Sequence, residues 1–365
     1  MTTPAAPVRP TDESAASPEE RPAQPVAVST AVTAAEWDAY VEAHPLATAD
    51  HLWHWREIVE SVFQQRCAYL CARRGNRIVG VLPLVLFRSR LFGRAVISLP
   101  YLNYGGVLAD DLEASQKLIE EAGVAGRGFQ AAYVELRHQG RQADQLPFRQ
   151  HKLALTRALP ATVDALWTAT DRKVRNQVRK AQKEGLTATV GGSELVDDFY
   201  GVFARNMRDL GTPVYSKQLF VETLRRFGDR ARVHVVRNKD RALAASIAIG
   251  FRTTVLVPWA SSLREFRHQC PNMLLYWSML ERATMGKMAT FDFGRSSPES
   301  GPHHFKLQWG ASEAPLHWEY VLLTRTEAPD HGPTNPKFQM MIAAWQRLPL
   351  SLANFIGPSI VKNIP

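Results

Sequence analysis

Cysteine is scarce in this sequence: three residues, Cys67, Cys71 and Cys270, stand in a chain of 365. An odd, sparse set with no ligand repeat excludes a disulfide scaffold and provides no zinc spacing. Cys67 and Cys71 fall in an apolar, strand-like run, so they are expected to pack in a core, and no metal is expected. Long apolar runs are also missing, for none approaches the roughly 18 residues that a membrane-spanning helix needs. The N-terminal stretch is rich in Pro, Ala and Glu and lacks the basic start and apolar middle of a signal peptide. A cytoplasmic protein is therefore expected. Acidic residues are outnumbered, 35 Asp and Glu against 44 Lys and Arg, for a formal net charge of +9. The imbalance favours an anionic partner such as a nucleotide sugar, RNA, a coenzyme or an acidic membrane surface; DNA is not expected.

What is there is an ordinary globular composition, 45% hydrophobic and 22% charged, in a chain long enough for two domains. Residues 1–25 read as a flexible tail, because Pro-rich polar sequence buries too little surface to offset its ordering entropy. Thr33, with Glu36 three residues on, is a capping-box signal for a helix over 33–41. A second helix is expected over 52–63, then a hairpin of strands 67–72 and 78–87 about a turn at Arg74-Gly75-Asn76. The nearly continuous apolar content of its second strand predicts burial on both faces. The loop Tyr101-Leu-Asn-Tyr-Gly-Gly106, a helix over 112–123 and strands over 131–136 and 152–159 complete a first half, 26–159. The second half, 160–324, repeats the order: helices, a strand over 232–237, a turn, and apolar strands over 242–250 and 254–260. A helix over 273–285 and strands over 290–293 and 316–323 close it. Residues 325–365 read as a Pro-punctuated linker and a short helical tail.

A cationic helix face stands out over 172–184. Arg172, Arg175, Arg179 and Lys183 fall within a sector of about 80°, with Val174, Val178 and Ala181 opposite. A solvated face is the ordinary reading of such a stripe. This one lacks acidic partners apart from Glu184, so its cations repel one another until an anion arrives, and phosphate is the candidate ligand. A second cluster runs from Phe291 to Gly310 and gathers Asp292, Arg295, Ser296, Glu299, His303, His304 and Lys306 after a strand. Polar loops at strand ends are where α/β folds place ligands. Ser297 before Pro298 is a candidate helix start. Ordinary surface or core histidines account equally for His303 and His304, and a snorkelling side chain for Lys306.

The run from Asp292 to Gly310, with its Phe305-Lys306 and Trp309-Gly310 pairs, resembles the FemAB-type aminoacyltransferases. Within them it looks most like the FemAB-related proteins of PEP-CTERM/exosortase and exopolysaccharide systems. Lys173-Val-Arg175, Arg179-Lys-Ala, the loop 101–106 and Trp345-Gln-Arg-Leu-Pro-Leu350 extend the resemblance over nearly the whole chain. It implies an α/β fold of two tandem GNAT-like (acyl-CoA N-acyltransferase) domains, with mixed sheets flanked by helices. The implied activity is acyl or aminoacyl transfer to an anionic, sugar-containing cell-envelope or exopolysaccharide precursor. By the resemblance, Lys306 serves the reacting ester, and Lys173 and Arg175 serve the precursor's phosphates. Acyl transfer needs alignment, charge against the developing oxyanion and a place for a proton. Lys306 is expected to supply the charge, with Asp292 or His304 positioning it or relaying the proton. Tyr101 and Asn103 are expected to orient the acceptor, with Arg179, Arg295 and Ser296 as further substrate-binding candidates.

No tightly bound cofactor is implied; aminoacyl-tRNA and acyl-CoA stand as alternative donor substrates. The sequence has no insertion long enough for the helical arm with which some members of that family hold tRNA. The stretch Arg90-Leu-Phe-Gly-Arg-Ala95 departs from a Gly-rich pyrophosphate loop by its arginine. Two rival readings are a CoA-dependent N- or O-acetyltransferase of a polysaccharide sugar, and a non-enzymatic factor in peripheral contact with the inner membrane through the basic face and the tail, 348–360, for which packing on its own domain is the ordinary reading.

Overall fold

The computed structural model describes residues 24–90, 92–329 and 336–364, the side chains of 336–339 excepted. Most of the expected tail, residues 1–23, lies outside the described residues, as do 330–335 of the expected linker. Strand β1 (Val26–Ser29) is followed by helix α1 (Ala34–Ala43). The expected capping box opens α1: the Glu36 amide donates to Thr33 Oγ1 at 3.2 Å, and the Thr33 amide to the Glu36 carboxylate at 2.9 Å. A short 3-10 turn, Ala49–His51, leads to α2 (His54–Ile58), continued by a π-helical stretch, Val59–Phe63. Then come β2 (Arg66–Arg74), β3 (Arg77–Ser89), β4 (Gly93–Ile97), β5 (Leu108–Ala109), α3 (Leu112–Gly128), β6 (Tyr133–His138) and β7 (Phe148–Arg149). The chain continues through β8 (Leu153–Ala158), α4 (Val163–Ala169), α5 (Arg172–Lys183), β9 (Leu186–Gly191), α6 (Val196–Asp209) and α7 (Lys217–Phe227). Next are β10 (Ala231–Asn238), β11 (Arg241–Phe251), β12 (Thr254–Ser262), α8 (Pro271–Met285), β13 (Thr290–Ser296) and α9 (Gly301–Leu307). It ends with β14 (Ser312–Pro315), β15 (His317–Leu322), α10 (Pro336–Gln346) and α11 (Leu350–Val361).

Two mixed sheets result. The first runs β1-β2-β3-β4-β6-β15-β7 with β5 beside β3, and the second runs β14-β8-β13-β12-β11-β10-β9. Each contains one parallel pair, β4/β6 and β12/β13, among antiparallel neighbours. The expected division at residue 159 is not where the sheets divide. β8, expected to close the first half, pairs with β13 and β14 of the second sheet. β15, expected to end the second half, pairs with β6 and β7 of the first. Alternation identifies a segment as a strand but not the edge it joins, and consecutive strands are neighbours only about two-thirds of the time.

The two sheets are tied by packing as well as by this exchange. Helix α3 covers one face of the first sheet, with Leu118 and Ala122 against Val79, Leu82 and Val134. A larger apolar cluster runs through both halves and includes Trp37, Trp55, Tyr69, Phe220, Trp259, Phe291 and Tyr320. Trp55 of α2 meets Phe227 of α7 at 5.2 Å, and Arg226 of α7 pairs with Glu57 of α2. On the second sheet, α6 and α7 cover one face, where Phe220 meets Trp259. Helix α8 covers the other, where Ser246 approaches Met279. The parallel pair β12/β13 is short, running from Thr254↔Thr290 to Leu256↔Asp292. Beyond it β12 bulges, with Val257 and Pro258 opposite Ala248, and the two strands part. Proline, which has no N–H to give a ladder, is at home in such a bulge. The gap that opens there is where the chemistry-bearing residues collect.

Candidate functional site

Strand β13 carries Asp292, Gly294 and Arg295 to this parting point. Gly294 has φ +72°, and a Cβ there would come 3.2 Å from both the Val257 carbonyl oxygen and Asn103 Nδ2, so only glycine fits without strain. Asp292 Oδ1 accepts from the Gly294 amide at 2.7 Å, and Oδ2 accepts from the Tyr104 hydroxyl at 2.8 Å. An acid of the second half is thus held by a tyrosine of the first, and both halves build one site. Burial pushes the Asp292 carboxyl up to about 6, against the pull of those two hydrogen bonds and of Lys306.

Helix α9 supplies the lysine. Ser300 caps it, its Oγ accepting from the His303 amide at 3.3 Å. On the inner face Lys306 is buried, and Nζ donates to the carbonyls of Gly294 at 3.0 Å and Arg295 at 2.9 Å. An ammonium has three donors, so one N–H is left over. Burial brings Lys306 down to about 8; Asp292 opposes that and Arg295 adds to it.

A second buried acid stands behind the loop. Asp50 is fully enclosed, and its Oδ2 accepts from the amides of Asn103 at 3.1 Å and Tyr104 at 3.0 Å. Its Oδ1 has no partner among the described residues. Burial first, and the charge of Asp292 after it, raise this carboxyl to about 7. Asp50→Ala is expected to cost about 1–3 kcal/mol by stranding two buried amides, and to lower kcat by loosening Tyr104 from Asp292. Chemical denaturation beside steady-state kinetics checks both parts.

The remaining wall is cationic. Arg137 of β6 donates to Glu135 at 2.8 Å and to the carbonyls of Leu99, Pro100 and Leu102, shaping the loop that carries Asn103 and Tyr104. Its guanidinium lies 4.1 Å from the ring centroid of Trp318 on the exchanged strand β15, and that of Arg295 lies 5.2 Å from the same ring. Arg295 is half-buried, and among the described residues neither its Nη1 nor the buried Ser296 hydroxyl has a partner. Lys152 donates to Ser297 Oγ at 2.7 Å; burial, Arg295 and Arg137 bring it down to about 8. Such a wall suits an anionic substrate or an oxyanion.

Of the expected site residues, Lys306, Asp292, Arg295, Ser296 and Asn103 come together here. His304 does not: it is exposed, and its Nε2 lies 3.6 Å from Glu299. Two positions along a helix are about 200° apart, so His304 and Lys306 cannot share a face. The buried histidine is His303, 2.5 Å from the Glu313 carboxylate. Tyr101 is stacked on Phe63 at 3.7 Å and spends its hydroxyl on the Lys362 carbonyl at 3.0 Å, so Tyr104 is the loop tyrosine that reaches the acid. Helix α5 buries Val174, Val178 and Ala181 as expected, and among the described residues none of its cations is in an ion pair. Lys173 lines a surface depression with Asp171, Arg172, Asn176, Gln177 and Lys180, of which Lys306 is no part. Arg175 is half-buried on the same helix, and Arg179 lies 5.2 Å over Trp167. Ser297 does not start a helix, since Ser300 does. The stretch 90–95, of which Leu91 lies outside the described residues, joins two antiparallel strands rather than a strand to a helix. Asp50, Tyr104, Arg137 and Lys152 escaped the sequence reading; Tyr104 alone lay within a flagged motif, and its partner is 188 residues away.

Residues 169–307 match the family described as an acetyltransferase (GNAT) domain, a span that holds β9 to β13, Asp292 and Lys306. Comparison with curated proteins finds no match. Among solved structures, FemX is similar with a TM-score of 0.60 at 15% identity, covering 85% of this chain and 98% of that one. The C-terminal domain (DUF2156) of a putative lysylphosphatidylglycerol synthetase from Agrobacterium fabrum follows at 0.55 and 12%, covering 79% and 91%. L-PGS from Bacillus licheniformis is similar at 0.53 and 10%, covering 87% and 98%. The fold is therefore the two-part, GNAT-like α/β fold shared with FemX, and the acetyltransferase (GNAT) domain within it makes acyl transfer this enzyme's class of chemistry.

Proposed function

We propose that this enzyme moves an acyl or aminoacyl group from an activated ester or thioester to an amine or hydroxyl of an anionic, sugar-containing cell-envelope or exopolysaccharide precursor. The observation that carries the reading is Lys306, fixed by two carbonyls with one N–H to spare, beside Asp292 and the cationic wall of Arg295 and Lys152. The acceptor attacks the donor carbonyl, and the negative charge that develops on its oxygen is met by the Lys306 ammonium. Asp292 takes the proton that the nucleophile sheds. The carbon–oxygen or carbon–sulfur bond of the donor then breaks, and the leaving group recovers that proton.

The connection from β12 to α8 favours an aminoacyl ester over a CoA thioester as donor. It contains no glycine over 263–270, and its Glu265 is engaged by Arg205 and Arg241 at 3.4 and 2.6 Å. A pyrophosphate cradle needs close backbone approach, which glycine provides best. The similarity to a putative lysylphosphatidylglycerol synthetase, whose name describes an aminoacylated anionic lipid, supports the same choice. The cations of α5 suit the phosphates of a long substrate such as tRNA or the precursor itself. The residues shared with FemAB-related proteins of PEP-CTERM/exosortase systems support an exopolysaccharide setting.

A donor titration tests the reading. Purified protein, with Lys306→Ala beside it, is exposed to acetyl-CoA, a longer acyl-CoA and an aminoacylated mimic of the tRNA 3′ end. Saturable binding of the mimic, weakened in the variant, is the expected result. Binding of CoA thioesters alone would move the function to acylation of a polysaccharide sugar, and binding of none would overturn the proposal.

A further inference from the structure

We infer that the C-terminal helical hairpin, α10 and α11, is a docking surface for an anionic lipid bilayer. One side of the hairpin is committed to the protein. Ala353, Gly357 and Val361 of α11, spaced four apart, are buried. Gly357 sits so close to Val214 that a Cβ would meet its Cγ1 at 2.9 Å. On α10, Trp345 is buried and Ile342 lies against Gly211. The other side is left without a partner. Met340 of α10 and Leu352 and Phe355 of α11 are exposed there, Phe355 to 81% and Met340 to 75%, and Met341, one turn before Trp345, is exposed as well. Leu210, at the end of α6 where Gln346 bonds the Asp209 carbonyl, is exposed beside them. Eleven large apolar side chains are exposed among the described residues, and five of them lie on α10, α11 and the end of α6 that they pack against. Scattered exposed apolar residues are ordinary, but a cluster marks an interaction site.

Charge identifies the occupant. Residues 331–365 contain no Asp or Glu, in a chain where 35 of 365 residues are acidic, and they carry Lys337, Arg347 and Lys362. A segment with exposed apolar side chains, an exposed Arg347 and no acidic residue suits the headgroup boundary of an anionic membrane. A second copy of the chain would bring like charges together. No helix among the described residues is long and apolar enough to cross a membrane, and α11 has 12 residues, so the hairpin would lie on the surface.

The hairpin is clasped to the rest of the molecule at its turn and at its C-terminal end. Arg208 of α6 donates to the Leu348 carbonyl at 3.0 Å. Past α11, the Lys362 carbonyl accepts from Tyr101 at 3.0 Å and Gln65 at 3.2 Å, and the Asn363 carbonyl accepts from Ser89 at 2.7 Å. Tyr101 opens the loop whose Asn103 and Tyr104 reach Asp292 and Gly294. A docked hairpin therefore holds that loop near the lipid surface, where a lipid-linked acceptor would arrive. The docking stands independently of the transfer reaction; only this use of it rests on the proposed function.

The experiment is vesicle co-sedimentation of the full chain, using phosphatidylcholine vesicles with and without phosphatidylglycerol, at low and high salt. Wild type is expected to sediment with the anionic vesicles, less at high salt, and weakly with phosphatidylcholine alone. The double variant Leu352→Glu/Phe355→Glu is expected to lose about tenfold or more in vesicle affinity with an unchanged melting temperature. Arg347→Gln should reduce only the anionic component. Transfer to a soluble acceptor fragment should be unaffected in both variants, which separates failure of docking from failure of the reaction. Wild type that stays in the supernatant, or a double variant that sediments like wild type, would overturn the inference. So would a dimer in light scattering that the double variant dissolves, because the face would then belong to a second copy.

Discussion

Lys306→Ala is expected to reduce turnover by about 10²–10³-fold or more while the protein keeps its fold, as loss of an oxyanion donor does. Nζ is not part of an ion pair that holds elements together; it bonds two carbonyls of the neighbouring strand end. Removing it also removes a buried cation whose burial already draws it down to about 8, so the stability loss should be small. Lys306→Met, which keeps the stem, gives the cleaner comparison. The pH profile of kcat/KM follows from the same groups. Below about 6 Asp292 is protonated and cannot accept the shed proton, and above about 8 Lys306 loses the charge that meets the oxyanion. A bell between these limits is expected. A rate that keeps rising above 8 would make Lys306 a base and sink its assigned role, as would an active Lys306→Ala enzyme.

Arg137→Ala is expected to destabilise the protein by about 3–5 kcal/mol, the usual result of stranding one partner of a buried ion pair. Arg137 and Glu135 are each about 1% exposed and 2.8 Å apart. The guanidinium also ties three loop carbonyls to β6 and lies over Trp318 of the exchanged strand. The substitution thus leaves a carboxylate and three carbonyls buried without their donor. The double variant Arg137→Met/Glu135→Gln should recover part of the loss, since replacing both charges is far cheaper than removing one. Urea unfolding of the three proteins checks this. A single-variant loss below about 1 kcal/mol would mean that the loop and β15 are held by other contacts. If the loop loosens, kcat should fall with stability, because Tyr104 reaches Asp292 from that loop.

Features that depend on a few neighbouring residues were legible in the sequence. The capping box at Thr33 and Glu36, the burial of Val174, Val178 and Ala181 and the hairpin of β2 and β3 follow from local periodicity and capping chemistry. The outward turn of His304 was available by the same arithmetic, for its place two residues before Lys306 puts it on another face. The lysine and the Asp292–Ser296 run stood out as a polar cluster after a strand, the resemblance gave Lys306 its expected role, and tertiary structure brought them to one point.

Only the tertiary structure decided the rest. A strand's alternation states which face is apolar but not which edge it joins, so the exchange of β8 and β15 lay beyond local reading. Asp50 looks like any polar residue before a helix until the loop amides close on it and exclude water. Tyr104 and Asp292 meet across 188 residues. Local patterns are set by backbone geometry over three or four residues. Which carboxyl is buried, which hydroxyl is already used and which cations face a substrate are set by long-range packing, and that packing exists only once the two sheets have exchanged strands and closed on a common core.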